Sequence, residues 1–258
     1  MKRIFLYITF LFITAVHAQH HEHQPLPSLI IDTDCAIDDF RALSLLLSVP
    51  EIEIYAIIAS EGTLMPDEGA KKISALLHKL GKESIPVISG KTTKGTSPAW
   101  REFNRNIHWA PETKTTSSSS FSFFDQVPDS TKEFTMLCLG TLTSAYDLMK
   151  EHSPFFKHIS RIIWYTQSVY PREGFNYSYN KAVADELTKN PPVRMDVISN
   201  LNSPDVILDQ EFFNSVKNNL ISASNMKEVH EQKEVKKKLE EKHFQYFDEL
   251  AASIYPYP

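Results

Sequence analysis

The chain has 258 residues, 42% of them hydrophobic and 23% charged, which fits one globular domain with one sizeable core. Its formal charge is −5, and −7 once Lys2 and Arg3 are set aside, so nucleic acid is not the expected partner.

Lys2 and Arg3 precede an apolar run from Ile4 to Val16, and Val16-His17-Ala18 offers small residues where a signal peptidase reads. Residues 1–18 are therefore expected to be a signal peptide cleaved after Ala18. The run falls short of the ~20 residues that span a bilayer, and no cysteine follows the cut to carry lipid. A secreted or periplasmic protein with no membrane span is the expectation. Residues 19–27 form a flexible, His-rich tail; His20, His21 and His23 could hold a transition metal, but a solvated tail is the simpler reading.

Apolar runs then alternate with helical patterns. Leu29–Ile31 is followed by a helix from Ile37 to Ser48, Ile54–Ala59 by a helix from Asp67 to Leu80, and then comes Pro86–Ile88. The rhythm resumes with Phe134–Leu139 and a helix from Leu142 to Glu151, Ile159–Tyr165 and a helix from Lys181 to Lys189, then Val193–Ile198. This βαβ order predicts an α/β fold: an open, mainly parallel sheet of about six strands with helices on both faces. Residues 91–133, with Gly95, Pro98, Pro111 and the run Ser117–Ser120, read as a loop or lid inserted into a single domain spanning 28–258. From Asp209 to Ile254 the pattern is helical, and "KEVHEQKEVKKKLEEKH" reads as a solvated helix face. Cys35 and Cys138 would approach if their strands are neighbours, but disulfide geometry is strict and two buried free thiols are expected.

"LIIDTDCAIDDF" crowds Asp32, Asp34, Asp38 and Asp39 behind the first strand, where ligands bind in such sheets. Asp38 and Asp39 suit the first turn of the following helix, but capping does not account for four carboxylates. Like charges this close raise one another's pKa unless a cation compensates, and only Arg41 is near in sequence. A hard divalent cation such as Ca²⁺ suits oxygen ligands, whereas zinc prefers His or Cys.

"DTDCAIDD" resembles the DTDPGxDD opening of the inosine-uridine type nucleoside hydrolases. The likeness continues in order through "SVPEIEIYAIIASEG", "SIPVISG", "LCLGTLTSAYDLMKEHSPFFKHISRIIW", "EGFNYSYNKAVADEL" and "FDELAASIYPYP", from about Ser28 to Pro258. The resemblance implies the Rossmann-like nucleoside hydrolase fold and a Ca²⁺-dependent hydrolase that cleaves the N-glycosidic bond of ribonucleosides to ribose and free base. It implies Asp34, Asp39, Asp248 and the Leu139 carbonyl as metal ligands, Asp34 as general base for the attacking water, and Asp38 and Asn176 as ribose-binding residues. Asp32 would be structural, hydrogen-bonded behind the site. Members are commonly oligomers, so a homo-oligomer is also implied.

Several positions depart from the family pattern. Cys35-Ala36 replaces Pro-Gly, so the turn loses glycine's freedom. Thr63 stands for a ribose-binding asparagine, and Gly174 for a glutamate that Glu173 could replace by a one-residue shift. Asn180-Lys181 replaces Asp-Pro. Phe247 stands where many members keep a histidine that protonates the leaving purine; His243, one helical turn earlier, is a weak substitute. His108 and Trp109 could descend over a base, although surface packing of the loop explains them as well, and Tyr246 and Tyr255 could line its pocket, although Tyr246 at helical spacing reads more simply as core. The chain ends ten residues after Asp248, where the family continues, so either one side of the site is open or the sequence is a shortened product. Two alternatives accompany the hydrolase reading. One is a catalytically degenerate, metal-dependent nucleoside- or sugar-binding protein. The other is a haloacid dehalogenase-type phosphohydrolase, which also opens with Asp-x-Asp but wants Thr or Val where Ala36 stands.

Overall fold

In the computed structural model, which describes residues 27–93, 95–111, 118–200, 207–215 and 221–255, the first apolar run forms strand β1 (Ser28–Thr33). The leader and the tail histidines lie outside the described residues. The chain continues as α1 (Ile37–Leu47), β2 (Ile54–Ala59), α2 (Pro66–Leu80), β3 (Val87–Ser89), α3 (Arg101–Arg105) and β4 (Ser118–Ser119). A 3₁₀ turn (Phe121–Asp125) leads to β5 (Phe134–Cys138), α4 (Thr143–Glu151), α5 (Ser153–Phe156), β6 (Ile159–Tyr165), α6 (Phe175–Tyr179), α7 (Lys181–Lys189) and β7 (Arg194–Ile198). The C-terminal segment supplies α8 (Gln210–Ser215), α9 (Ile221–His230), α10 (Lys233–Glu240) and α11 (Asp248–Ile254).

Among the described residues the strands form one sheet of seven in the order β4-β3-β2-β1-β5-β6-β7, and every pairing between them is parallel. The seventh strand, beyond the six legible in the sequence, is β4. It lies within 91–133 and is two serines long, too short and too polar to register as an apolar run. From β1 the chain builds outward through β2, β3 and β4, then crosses back to pair β5 with the free side of β1. The order therefore reverses at β1 and β5, and the carboxyl ends of these strands open the crevice where such sheets bind ligands.

Both faces of the sheet are covered, and the strand period of two assigns alternate side chains to two apolar layers. Leu29, Ile31, Ile57, Leu137 and Ile163 join the layer of α1, α2, α9, α10 and α11. Ile30, Ile58, Met136 and Ile162 join the layer of α4, α5 and α7. Each of these side chains, fully buried, contributes roughly 1.5–3 kcal/mol. The same alternation separates the cysteines. Cys35 packs in the first layer and Cys138 in the second, on opposite faces, so both are buried free thiols despite the β1–β5 pairing. Among the described residues, no helix is long and apolar enough to cross a membrane.

Candidate active site

The turn after β1 brings the first carboxylates together. Cys35 takes φ +68°, the left-handed conformation, while Ala36 is extended at φ −75° and ψ 174°. Proline could not adopt φ +68°, and an extended Ala36 has no need of glycine's freedom. Thus the expected loss at Ala36 does not arise, and the unusual backbone falls on Cys35 instead. The turn is held by its own polar groups. Thr33 Oγ1 accepts from the Cys35 N–H at 3.1 Å and donates to Asp39 Oδ1 at 2.5 Å. Asp39 also accepts from the Asp34 and Ala36 backbone N–H groups, each at 3.1 Å, so it caps α1 while facing the crevice.

Asp34 lies where backbones pass closely. A Cβ at Gly62 would fall 2.5 Å from the Asp34 Cβ and Oδ2, and one at Gly140 would fall 3.0 Å from its Cβ. Asp248, the first residue of α11, arrives from the other end of the chain. The buried pair of Arg41 on α1 with Glu249 on α11 secures it. Arg41 Nη2 donates to the Gln245 carbonyl at 3.2 Å, and Glu249 Oε2 accepts from the Phe247 N–H at 3.0 Å.

Oxygens of Asp38, Asp39 and Asp248 lie within 4.8 Å of one another. At an effective dielectric of about 20, each such pair of charges repels by roughly 3 kcal/mol. Burial and the Asp39 and Asp38 charges push Asp34 well above the usual carboxylate range, opposed by the Thr63 backbone N–H. Burial and the Asp39 charge raise Asp38 to about 7. Asp248 is likewise pushed well up, and Asp39 is raised by burial against several hydrogen bonds that favour its anion. Among the described residues the one buried guanidinium or ammonium beside the cluster is that of Arg41, and it is committed to Glu249. Asp248 Oδ1 is buried without a hydrogen-bond partner. An all-oxygen donor set, mutual repulsion and an orphaned carboxylate oxygen fit a hard divalent cation and give no reason for zinc.

Asp34, Asp38, Asp39, Thr63, Leu139, Asn176 and Asp248 all line one cleft of about 490 Å³. The metal set read from the sequence named Asp34 and assigned Asp38 to ribose, whereas the tightest carboxylate group here contains Asp38, with Asp34 beside it. Asn176 Nδ2 donates to the Leu139 carbonyl at 2.6 Å and the Tyr165 carbonyl at 3.2 Å, and no described protein donor reaches its Oδ1. Asp32 is wholly buried behind the cleft, accepting from the Ser60 hydroxyl at 3.3 Å.

Other expectations are corrected. Glu173 is exposed and does not line the cleft. Its neighbour Gly174, at φ +111°, lies so close to Gln167 that a Cβ would fall 2.7 Å from the Gln167 Cβ, and Gln167 is the residue that reaches the cleft. Trp109 is buried in the core, stacked on Phe40 with centroids 5.1 Å apart, and His108 lies outside the cleft. Tyr255 is core, its hydroxyl donating to the Pro27 carbonyl. His243 does line the cleft, with its side chain 56% exposed. Sequence reasoning missed Trp100, Phe103, Phe175 and Phe244, which give the cleft an aromatic wall with Phe247. Trp100 sits in the aperiodic insertion, where no pattern marks it.

The sequence profile of the inosine-uridine preferring nucleoside hydrolases matches residues 29–254. Uridine nucleosidase 1 of Arabidopsis thaliana is 28% identical over 145 residues, covering 52% of this chain and 43% of the relative. The pyrimidine-specific ribonucleoside hydrolase RihA of Salmonella schwarzengrund is 28% identical over 148 residues, covering 52% and 46%. The matched stretch thus spans less than half the length of these curated relatives. A solved plant nucleoside hydrolase, the PpNRh1 enzyme, superposes with a TM-score of 0.72 at 18% identity, covering 91% of this chain and 80% of that one. A likeness at that identity speaks for the fold. The extent of the profile match sets aside the haloacid dehalogenase alternative, and the chain belongs to the inosine-uridine preferring nucleoside hydrolase family.

Proposed function

We propose that the protein is an exported, Ca²⁺-dependent hydrolase that cleaves the N-glycosidic bond of ribonucleosides or related ribosyl compounds, releasing ribose and free base. The observation that carries this reading is the carboxylate cluster of Asp38, Asp39 and Asp248, joined by Asp34 in a cleft with an aromatic wall. Asp34, Asp39, Asp248 and the Leu139 carbonyl would hold the ion. When bound, Ca²⁺ would supply the positive charge that lets these carboxylates ionise together and that polarises the attacking water and the ribose diol.

The chain's own groups do the rest. Asp34 takes a proton from the water whose oxygen bonds to C1′. Asp38 and Asn176 Oδ1 accept from ribose hydroxyls, orienting the sugar and stabilising the oxocarbenium-like charge that develops on it. The base departs with the electrons of the C–N bond and takes up a proton from solvent or from His243. Export is supported by Lys2, Arg3 and the apolar run that follows them.

A second reading, a nucleoside- or sugar-binding protein without turnover, is favoured by Phe247, an apolar ring directly before Asp248 where a buried acid would assist the leaving base. Ribose release by residues 19–258 over a panel of purine and pyrimidine ribonucleosides, in calcium and in chelator, decides between the two. Chelator-sensitive release that Asp34→Asn abolishes is expected. Nucleoside binding without release would leave the binding protein. Export is tested by sequencing the N-terminus of protein recovered outside the cytoplasm, which should begin at Gln19.

A further inference from the structure

Lys238, in the last turn of α10, lines the cleft on the side of its aromatic wall. Helix spacing offers this lysine two acidic partners, Glu234 one turn before it and Glu241 three residues after. It pairs with neither, and among the described residues it forms no ion pair with the cleft aspartates. Its half-buried ammonium lies instead over the Phe103 ring, 4.9 Å from the centroid, and Phe103 in turn leans on Phe244 with centroids 6.4 Å apart. The cleft thus gathers its carboxylates in one group and holds an ammonium apart from them, on the aromatic side.

That side lacks a proton donor suited to a departing base. The Tyr165 hydroxyl, on a ring 6.0 Å from that of Phe247, donates to Asn200 Oδ1 at 3.2 Å. The His243 side chain is 56% exposed, with Nδ1 3.4 Å from Glu241 Oε2. Neither is a buried acid aimed across the wall, and Phe247 has no proton to give. A purine or uracil ring departs with an electron pair that must be protonated or otherwise neutralised. A pyridinium ring departs neutral.

We infer that the preferred substrates are ribosides of pyridinium carboxylates, whose ring carries its positive charge before cleavage and whose carboxylate meets Lys238. The inference rests on the proposed N-glycosidic hydrolysis and names its leaving group. The faces of Trp100, Phe103, Phe175, Phe244 and Phe247 attract a cationic ring more than a neutral one. In the reaction the water oxygen bonds to C1′ and one water proton passes to Asp34. The electron pair of the C1′–N bond returns to the ring nitrogen and cancels its positive charge, so the leaving group needs no acid. The products are ribose and a pyridine carboxylate. Lys238 binds the carboxylate through a charge-assisted hydrogen bond and takes no part in bond cleavage.

The test measures kcat/KM of residues 19–258, in calcium, for nicotinic acid riboside, nicotinamide riboside and uridine. The first carries ring charge and carboxylate, the second ring charge and a neutral amide, the third neither. The expected order is the order given, with the acid riboside about tenfold above the amide. Lys238→Met should erase the gap between the two pyridinium ribosides, Lys238→Glu should invert it, and Lys238→Arg should keep most of it. A purely structural lysine would change all three substrates together and leave their ratios alone, and thermal melting of each variant reports any loss of fold. Uridine cleaved as fast as nicotinamide riboside, an acid-to-amide ratio near one in wild type, or a ratio that Lys238→Met leaves intact overturns the inference while N-glycosidic hydrolysis stands. No ribose released from any of the three removes that reading and the inference with it.

Discussion

Arg41 and Glu249, 208 positions apart in sequence, form a buried ion pair that draws α11 against α1 and carries Asp248 to Asp39. The pair links two ends of the domain through one electrostatic contact in a low-dielectric setting. The Arg41 guanidinium also lies over the Phe244 ring, 5.4 Å from its centroid, so the cation is clamped from two directions.

Breaking this pair on one side leaves a buried charge uncompensated. Glu249→Ala should destabilise the fold by about 3–5 kcal/mol in denaturant titrations, whereas the double replacement Arg41→Met with Glu249→Leu should cost much less. In the double variant, Ca²⁺ affinity should fall further than stability does, because Asp248 loses its tether. Equal stability of the Glu249→Ala and wild-type proteins would refute the role.

The carboxylates make stability depend on pH with a definite sign. Asp32 and Asp38 are raised to about 7 from an ordinary 3.8, chiefly by burial, and Asp34, Asp39 and Asp248 are raised with them. Between those values the folded chain holds protons that the unfolded chain has released, so stability falls as pH rises towards 7 and stays reduced above it. Buried His230, held down to about 3, acts in the opposite sense below 6.5, but it is one group against several. In chelator, the melting temperature should drop between pH 5.5 and 8, and added Ca²⁺ should raise it more at pH 8. A calcium effect of equal size at both pH values would contradict this account.

Gly62 is demanded by Asp34 rather than by its backbone conformation. A methyl at Gly62 would meet the Asp34 carboxylate at 2.5 Å, so Gly62→Ala should displace it, costing about 1–3 kcal/mol of stability in urea. Calcium binding measured by calorimetry should weaken alongside. Gly81→Ala, at the end of α2 with nothing within 4 Å, strains only the local backbone at φ +67° and should leave calcium affinity unchanged.

Neither thiol should be reachable in the folded protein. Burial and neighbouring carboxylates push both Cys35 and Cys138 well above the usual thiol range, and their side chains lie in different layers. A thiol reagent should label no cysteine under native conditions and both after denaturation. A mass showing a Cys35–Cys138 bridge would overturn the assignment of faces.

Strand and helix positions were largely legible because burial on both sides of a parallel sheet writes itself as apolar runs, and helix periodicity fills the gaps. The helix from Lys181 to Lys189 and the strands Ile54–Ala59 and Ile159–Tyr165 match to the residue. The aspartate cluster was legible for a related reason: four carboxylates in eight positions have no packing explanation, so their chemistry is local information.

By itself, the sequence determined the α/β class, the place of the acidic cluster at a strand end, and the order of family motifs from Ser28 onward. Only the tertiary structure decided what faces the cleft. Glu173 turns away while Gln167 enters, Trp109 is core while Trp100 is wall, and Asp248 is secured by Arg41 from across the chain. The physical reason is that a side chain's direction in an irregular loop is set by close contacts and hydrogen bonds with distant segments. Gly174 against Gln167 and Trp100 on Thr63 are such contacts, and no local periodicity encodes them.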